Sequence, residues 1–258
     1  MHKIEAWVNN FQKANHRYIA AQILDRLIYR SNKMAKESYR SFLISTLRDF
    51  YFDSLNLKPE PIYEWIHQLS IKNSRYSNNL VIAPVRCISD SGASGDTICR
   101  MVEINQSFTK YLTEEGFGGR TRKRKIPRGM VILLVDDMLG SGKQILDFSK
   151  AVNLERWAEQ NHVVYAPLIA FEKNLERIKS ELPYLAISPI EILEEKQCFF
   201  SFEENANFIG CSSIKEQDAI IWYNQMLSSN KISTKNSCGR ENAALTLAFQ
   251  WGCPNQTH

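Results

Sequence analysis

The sequence predicts an α/β protein with a parallel-sheet core between a helical N-terminal unit and a small C-terminal cap. Three observations predict this class. Apolar residues repeat at helical spacing within residues 1–76. Short apolar segments then alternate with helical patterns through residues 77–195, as in parallel strands joined by crossover helices. One such segment, 131–135, is a run of branched apolar residues, the pattern of a strand buried on both faces. Residues 196–258 would form the cap.

Three sets of apolar residues predict the helices of the N-terminal unit. In chain order the sets are Ile19, Ile23, Leu24, Leu27 and Ile28; Tyr39, Phe42, Leu43, Leu47, Phe50 and Tyr51; and Ile62, Trp65, Ile66 and Leu69. Pro61 precedes the third set and suits the first position of a helix. We expect the aromatic stripes to form core. The polar stretch 72–79 indicates the boundary before the sheet.

The core is predicted to alternate strands with helices. The expected strands are residues 79–85, 131–135, 162–171 and 185–193, and the expected helices are residues 143–160 and 174–182. Pro189 lies inside the last strand and indicates an edge or a bulge, because proline donates no hydrogen bond to a sheet.

The cap is predicted from weaker patterns. A helix is expected over residues 214–227, a polar linker over 228–240 and a last strand over 243–251. Its large aromatic residues could stack on a nucleobase or form core, and core is the favoured interpretation. They are Phe199, Phe200, Phe202 and Trp222.

Composition narrows the class of protein. The net charge is +4 and residues 120–128 alone carry six basic side chains, so the rest of the chain is near neutral and does not indicate an extended nucleic-acid surface. The six cysteines are scattered without a Cys-x2-Cys pair, which favours reduced thiols and no zinc site.

The N-terminus lacks an apolar signal segment, and the longest apolar run, 163–171, is far shorter than the roughly 18 residues of a membrane span. We expect a cytoplasmic protein with no membrane partner.

The most informative motif is VILLVDDMLGSGKQ, residues 131–144. Asp136 and Asp137 follow the apolar run, where open parallel sheets bind ligands. A helix is expected to begin near Lys143 and to direct its amide-rich N-terminus to the same place. Amides hold a phosphate, but two carboxylates beside a phosphate repel it. The acids therefore need sugar hydroxyls or Mg²⁺ as partners, which predicts a ligand with both kinds of group.

Other interpretations of this motif are weaker. A Walker A loop fails because Asp137 stands five residues before Gly142 and Gln144 follows Lys143. A dinucleotide fingerprint would need glycine where Ile145 stands. An ordinary acidic turn would leave adjacent acids at the end of a buried strand without partners, which is costly.

A second anion site is expected after the strand at 79–85. Arg86 is followed by the small-residue stretch 89–95, whose backbone amides could form an anion nest around Ser94 and Gly95. Arg86 or Arg100 would add positive charge. The competing interpretation is a surface turn, since serine and glycine are common there.

The basic stretch between these two motifs, residues 118–128, contains two glycines and a proline and is predicted to be a loop. Three interpretations stay open. Arg120 and Arg122 could close over a diphosphate, the whole run could bind nucleic acid, or it could be a solvated charge run.

The motif 135–144 resembles the phosphoribosyl diphosphate-binding signature of type I phosphoribosyltransferases: an apolar strand, two acids, three variable residues, Ser/Thr-Gly, one residue, then Thr/Ser. Gln144 departs from the last position. The resemblance implies that Asp136 and Asp137 bind the ribose hydroxyls, act at the catalytic centre and contact Mg²⁺ directly or indirectly. It implies that the 5′-phosphate is held by Gly140, Ser141, Gly142, Lys143 and Gln144.

The same resemblance implies the remaining parts of a transferase site. Such enzymes place a diphosphate loop after the first core strand and a flexible loop before the acidic strand. The implied diphosphate-binding residues are Arg86, Ser94, Gly95, Arg120 and Arg122. The implied reaction is displacement at ribose C1 with diphosphate leaving, and the acceptor is not specified.

The C-terminal segment 239–257 resembles the closing segment of phosphoribosyltransferase-like domains of prokaryotic conflict systems, including some that accompany retron reverse transcriptases. A Pro-Asn-x-Thr element follows a late strand in both. The resemblance implies an effector in anti-phage defence with a protein or nucleic-acid partner. The alternatives are a non-catalytic nucleotide sensor and a nucleic-acid-binding subunit.

Overall fold

The computed structural model describes residues 2–71, 74–86, 94–102, 128–200, 216–235, 237–239 and 243–254. Contacts divide the chain into two compact units. The sheet unit is Ser31–Leu193, and the terminal unit combines Met1–Arg30 with Glu194–His258.

The strands and helices are numbered in chain order. The strands are β1 Ile28–Arg30, β2 Leu80–Pro84, β3 Val131–Leu139, β4 His162–Phe171, β5 Ala186–Ile187, β6 Glu191–Leu193 and β7 Leu247–Phe249. The helices are α1 His2–Val8, α2 Ala14–Asp25, α3 Asn32–Ile44, α4 Thr46–Ser54, α5 Ile62–Ser70, α6 Arg75–Asn79, α7 Ser94–Val102, α8 Lys143–Val152, α9 Leu154–Ala158, α10 Glu172–Glu181 and α11 Glu216–Ser229. A 3₁₀ turn covers Glu195–Gln197.

A parallel sheet of order β2-β3-β4-β5, with β6 also paired to β4, forms the centre of the sheet unit. Leu80 pairs with Val131, and Val131 with His162, so β2, β3 and β4 start level. β3 lies between β2 and β4, and its apolar run is buried along its whole length, as the five branched residues predicted. The predicted α/β class with a parallel sheet is confirmed.

Helices α8, α9 and α10 cover one side of this sheet. Phe148, Trp157 and Ile178 pack with Ile132 and Leu134 in one buried cluster. Helices α3 and α7 also contact the sheet. An aromatic group of Tyr51, Phe52, Trp65 and Tyr76 lies within α4–α6, with ring centroids 5.2–5.7 Å apart. Tyr51 and Trp65 belong to the predicted stripes and are core, whereas Ile62 of the third apolar set is 53% exposed.

The terminal unit has its own core. α2 and α11 pack together, and Ile19, Phe199 and Tyr223 are buried between them and their neighbours. β1 pairs in parallel with β7, with Ile28 opposite Leu247. Phe200 and Trp222 pack against the same cluster, which agrees with the core interpretation of these aromatics; Phe202 lies outside the described residues.

Several element boundaries differ from the prediction. The first predicted helix ends at Asp25, and Ile28 instead enters β1, because Leu247 of β7, 219 residues later, supplies its partner. The expected helix 143–160 breaks at Asn153, whose φ of +53° is left-handed. The expected strand 185–193 becomes β5 and β6, which flank Pro189.

Contacts also group the chain differently from the expected boundaries at 76 and 195. The first thirty residues belong with the C-terminal segment, whereas α3, α4 and α5 belong to the unit that contains the sheet. Within the described part of the chain, no helix has the length and apolar character needed to cross a membrane.

Candidate functional site

The two acids lie inside β3. The strand was expected to end at Val135, but it continues to Leu139 because β4 pairs with it as far as Ala170. On the other side, β2 ends at Pro84, and the Val85 amide adds a bond, 2.9 Å to the Val135 carbonyl. The acids thus stand beyond the end of β2, where a parallel sheet binds ligands.

Asp136 is fully buried and its carboxyl is surrounded by donors. Oδ1 accepts from the Asp137 amide at 3.0 Å, and Oδ2 lies 3.2 Å from the Tyr165 hydroxyl. The Gln144 Nε2 lies 3.2 Å from each carboxyl oxygen. Burial, with repulsion from Asp137 second, raises the pKa of Asp136 well above its ordinary value.

Two buried tyrosines support this acid; the sequence predicted Tyr39 as a core residue of a helix and indicated a role in the site for neither. Tyr39 in α3 places its hydroxyl 2.8 Å from the carbonyl oxygens of both Asp136 and Ala166. Burial, then the charge of Asp136, raises the pKa of Tyr39 and of Tyr165 well above the ordinary value. Tyr39 is 97 residues from Asp136, so no local pattern signals its role.

Asp137 is partly exposed, in contrast to Asp136. Its carboxylate also interacts with that of Asp136, since the charge of Asp137 contributes to the raised pKa of Asp136. The adjacent acids thus occupy different environments, although the sequence assigned them one shared role.

The phosphate loop, residues 140–144, leads into α8. Gly142 has a left-handed φ of +73°, and a Cβ at this residue would lie 2.1 Å from the Ile178 Cδ1. Both facts favour glycine. Arg177, which the sequence did not single out, donates to the Ser141 carbonyl at 2.7 Å. The Lys143 ammonium pairs with Asp147 at 2.6 Å one turn along the helix.

Gln144 occupies the position that departs from the transferase signature. Its Nε2 lies 3.1 Å from the Val85 carbonyl oxygen, in addition to its contacts with Asp136. The amide therefore connects α8, β3 and the end of β2.

The residues expected to bind diphosphate are described only in part. Arg86 Nη1 lies 3.4 Å from Asp96 Oδ2 in α7. Gly95 comes so close to β2 that a Cβ there would lie 2.5 Å from the Val85 carbonyl oxygen. Ser94 is the first residue of α7. Arg120 and Arg122 lie outside the described residues.

A Mg²⁺ ion would fit this site only together with a ligand. In the parts of the chain described above, no three His, Cys, Asp or Glu side chains cluster as a metal site. Both oxygens of Asp136 already have donors, whereas Asp137 is partly exposed. Mg²⁺ is commonly held by one or two carboxylates plus substrate phosphates. The residues present are compatible with that arrangement through Asp137.

The site thus combines a parallel sheet, two acids in an inner strand and a glycine loop before a helix. The family model described as PRTase-CE matches residues 4–258. The chain belongs to the PRTase-CE family. The match covers both compact units of this PRTase-CE protein and confirms the expected phosphoribosyltransferase-like domain.

Comparisons with individual proteins add little to the family match. No curated protein matches the PRTase-CE chain. Solved structures that match include an orotate phosphoribosyltransferase from Aeropyrum pernix. That structure is 14% identical, with a TM-score of 0.30, and the match covers 51% of this chain and 72% of that chain.

Proposed function

We propose that this protein binds phosphoribosyl diphosphate, or a related nucleotide, at the end of β3. Three features that follow one another in a single strand-loop-helix segment carry the proposal. They are a partly exposed Asp137, a glycine loop and the N-terminus of α8. A carboxylate suits sugar hydroxyls, and helix N-terminal amides suit a phosphate. A ribose 5-phosphate unit carries both groups.

In this proposal each group has a separate task. The amides of residues 141–143 hold the 5′-phosphate, and Asp137 accepts hydrogen bonds from the ribose hydroxyls. Arg86 lies just after β2 and pairs with Asp96, so a diphosphate on ribose C1 would share its guanidinium with that carboxylate. When bound with the ligand, Mg²⁺ would neutralise charge on the diphosphate.

If the protein is an enzyme, its reaction is transfer of the phosphoribosyl group at C1. The diphosphate leaves with the electrons of the C1–O bond, and an acceptor nucleophile forms the new bond to C1. Asp137 near the ribose stabilises the positive character that develops there. The acceptor is a separate molecule.

A second candidate is a non-catalytic nucleotide sensor. The observation that favours it is the network around Asp136, because an acid expected to touch the ribose is buried among protein donors. In either case we propose that the protein acts as an effector of a prokaryotic anti-phage system with a protein or nucleic-acid partner. Family membership supports the transferase-like part of this proposal.

Calorimetric titration with phosphoribosyl diphosphate and Mg²⁺ tests the binding site. We expect saturable binding that Asp137→Asn weakens about tenfold or more, since a charge-assisted hydrogen bond contributes roughly 1.5–3 kcal/mol. Asp53→Asn, the same change at an exposed residue of α4, should leave affinity unchanged. Absence of binding at millimolar ligand would remove the proposal. Diphosphate release with a panel of acceptors separates enzyme from sensor.

A further inference from the structure

One side chain, Gln144, joins the phosphate loop to the start of the segment expected to bind diphosphate, residues 85–95 (the diphosphate segment). Its Nε2 lies 3.1 Å from the Val85 carbonyl oxygen and 3.2 Å from both carboxyl oxygens of Asp136. A primary amide has two N–H groups, so one can serve the carbonyl and the other the carboxyl. Gln144 thereby ties the first turn of α8 to β3 and to the end of β2.

Val85 is where the expected diphosphate segment begins. Arg86 follows it directly and pairs with Asp96 in the first turn of α7. The backbone of Gly95 approaches the same Val85 carbonyl so closely that a Cβ would lie 2.5 Å from it. The carbonyl bound by Gln144 therefore lies against the start of α7, and a shift of one affects the other.

We propose that Gln144 is a positioning residue that couples the phosphate loop to the diphosphate segment, and that it is not itself a phosphate ligand. Both of its N–H groups already have protein acceptors. The inference rests on the proposed function, because it concerns how that site presents its two anion-binding parts. A ligand with phosphoryl groups at both ends of the ribose then meets both parts at a fixed separation.

The length of the side chain explains why the departure from the signature matters. A serine or threonine hydroxyl is attached at Cβ, whereas the glutamine amide nitrogen is attached at Cδ. A hydroxyl at residue 144 therefore stays near the start of α8 and does not reach Val85 and Asp136 together. Gln144→Thr supplies the hydroxyl of the signature while it removes the link to β2.

Titration of the 258-residue chain with two probes tests the coupling. The probes are phosphoribosyl diphosphate with Mg²⁺, which spans both segments, and ribose 5-phosphate, which reaches only the phosphate loop. We expect Gln144→Ala and Gln144→Thr to weaken the first about tenfold, equal to the loss of about 1.4 kcal/mol, and the second less than about threefold. Gln68→Ala, the same change on α5, should alter neither.

Two outcomes of this titration contradict the coupling. An equal loss for both probes would mean that Gln144 binds the phosphate directly. Full affinity in Gln144→Thr would mean that a local hydroxyl is sufficient.

A double-mutant cycle with Asp136→Asn gives a readout that a direct phosphate contact does not produce. If Gln144 acts through Asp136, the double variant should lose less affinity for phosphoribosyl diphosphate than the product of the single losses. Independent, multiplicative losses would overturn the proposal.

Hydrogen exchange separates this inference from the proposed function. Gln144→Ala should speed amide exchange both in residues 140–144 and at residues 85–86, with or without ligand. If wild type binds neither probe, the proposed function fails while this coupling can still be confirmed. Faster exchange confined to residues 140–144 would overturn the coupling whatever the binding result.

Discussion

Replacing Gly142 with alanine should destabilise the sheet unit strongly, for two reasons that can be measured separately. Its φ of +73° is left-handed, which costs an L-residue about 1–2 kcal/mol. The new Cβ would also lie 2.1 Å from Ile178 Cδ1 and 2.5 Å from Cγ1, so the buried side chain must move. Overpacking of this kind typically costs about 1–3 kcal/mol. The expected total is about 2–5 kcal/mol.

Gly129 provides the matched control. It has a similar φ of +68°, but a Cβ there meets nothing within 4 Å. Gly129→Ala should therefore show the backbone cost alone, about 1–2 kcal/mol. The effect of alanine on the unfolded chain is the same in both variants and cancels in the difference. We expect Gly142→Ala to exceed Gly129→Ala by about 1–3 kcal/mol.

Denaturant unfolding followed by tryptophan fluorescence measures the difference in unfolding free energy between Gly142→Ala and Gly129→Ala. Tryptophan is a suitable probe because Trp157 lies in the same buried cluster as Ile178. Ile178→Val removes the atom nearest to the new Cβ. The double variant Gly142→Ala/Ile178→Val should thus be more stable than the sum of the single changes implies. Equal losses at Gly142 and Gly129 would refute the packing explanation and leave only the backbone one.

Three further predictions concern the rest of the site. Tyr39→Phe should lower the free energy of unfolding by about 1–3 kcal/mol, because it leaves the buried Asp136 and Ala166 carbonyls without this donor; an unchanged denaturation midpoint would contradict that contact. Burial raises the pKa of Asp136 above 3.8, so the folded protein keeps a proton that the unfolded chain releases. Stability should then fall as pH rises from about 4 through the raised pKa, and the pH profile of Asp136→Asn should lack this part of the slope. In the basic loop, Arg120→Ala and Arg122→Ala should reduce turnover much more than nucleotide affinity if the loop closes over diphosphate; equal, salt-dependent losses of RNA or DNA binding with unchanged turnover would indicate a nucleic-acid site instead.

Local patterns were enough to predict much of the fold. Strand β4 has the bounds that its apolar run predicted, and α10 and α11 begin within two residues of their predicted starts. These elements could be predicted because each shows its burial in its own periodicity. β1 could not, since three residues become a strand only when β7, more than two hundred residues away, pairs with them.

The candidate site could likewise be predicted only in part from the sequence. Residues 131–144 alone indicated a buried strand, two acids and an anion-binding loop before a helix, because side-chain type and order determine those features locally. Only the tertiary structure distinguished the acids. It buried Asp136 beneath Tyr39 and Tyr165, left Asp137 partly exposed, and turned Gln144 towards β2. A pattern along one segment contains no information about which distant side chains will surround it, and the environment of each acid depends on those neighbours.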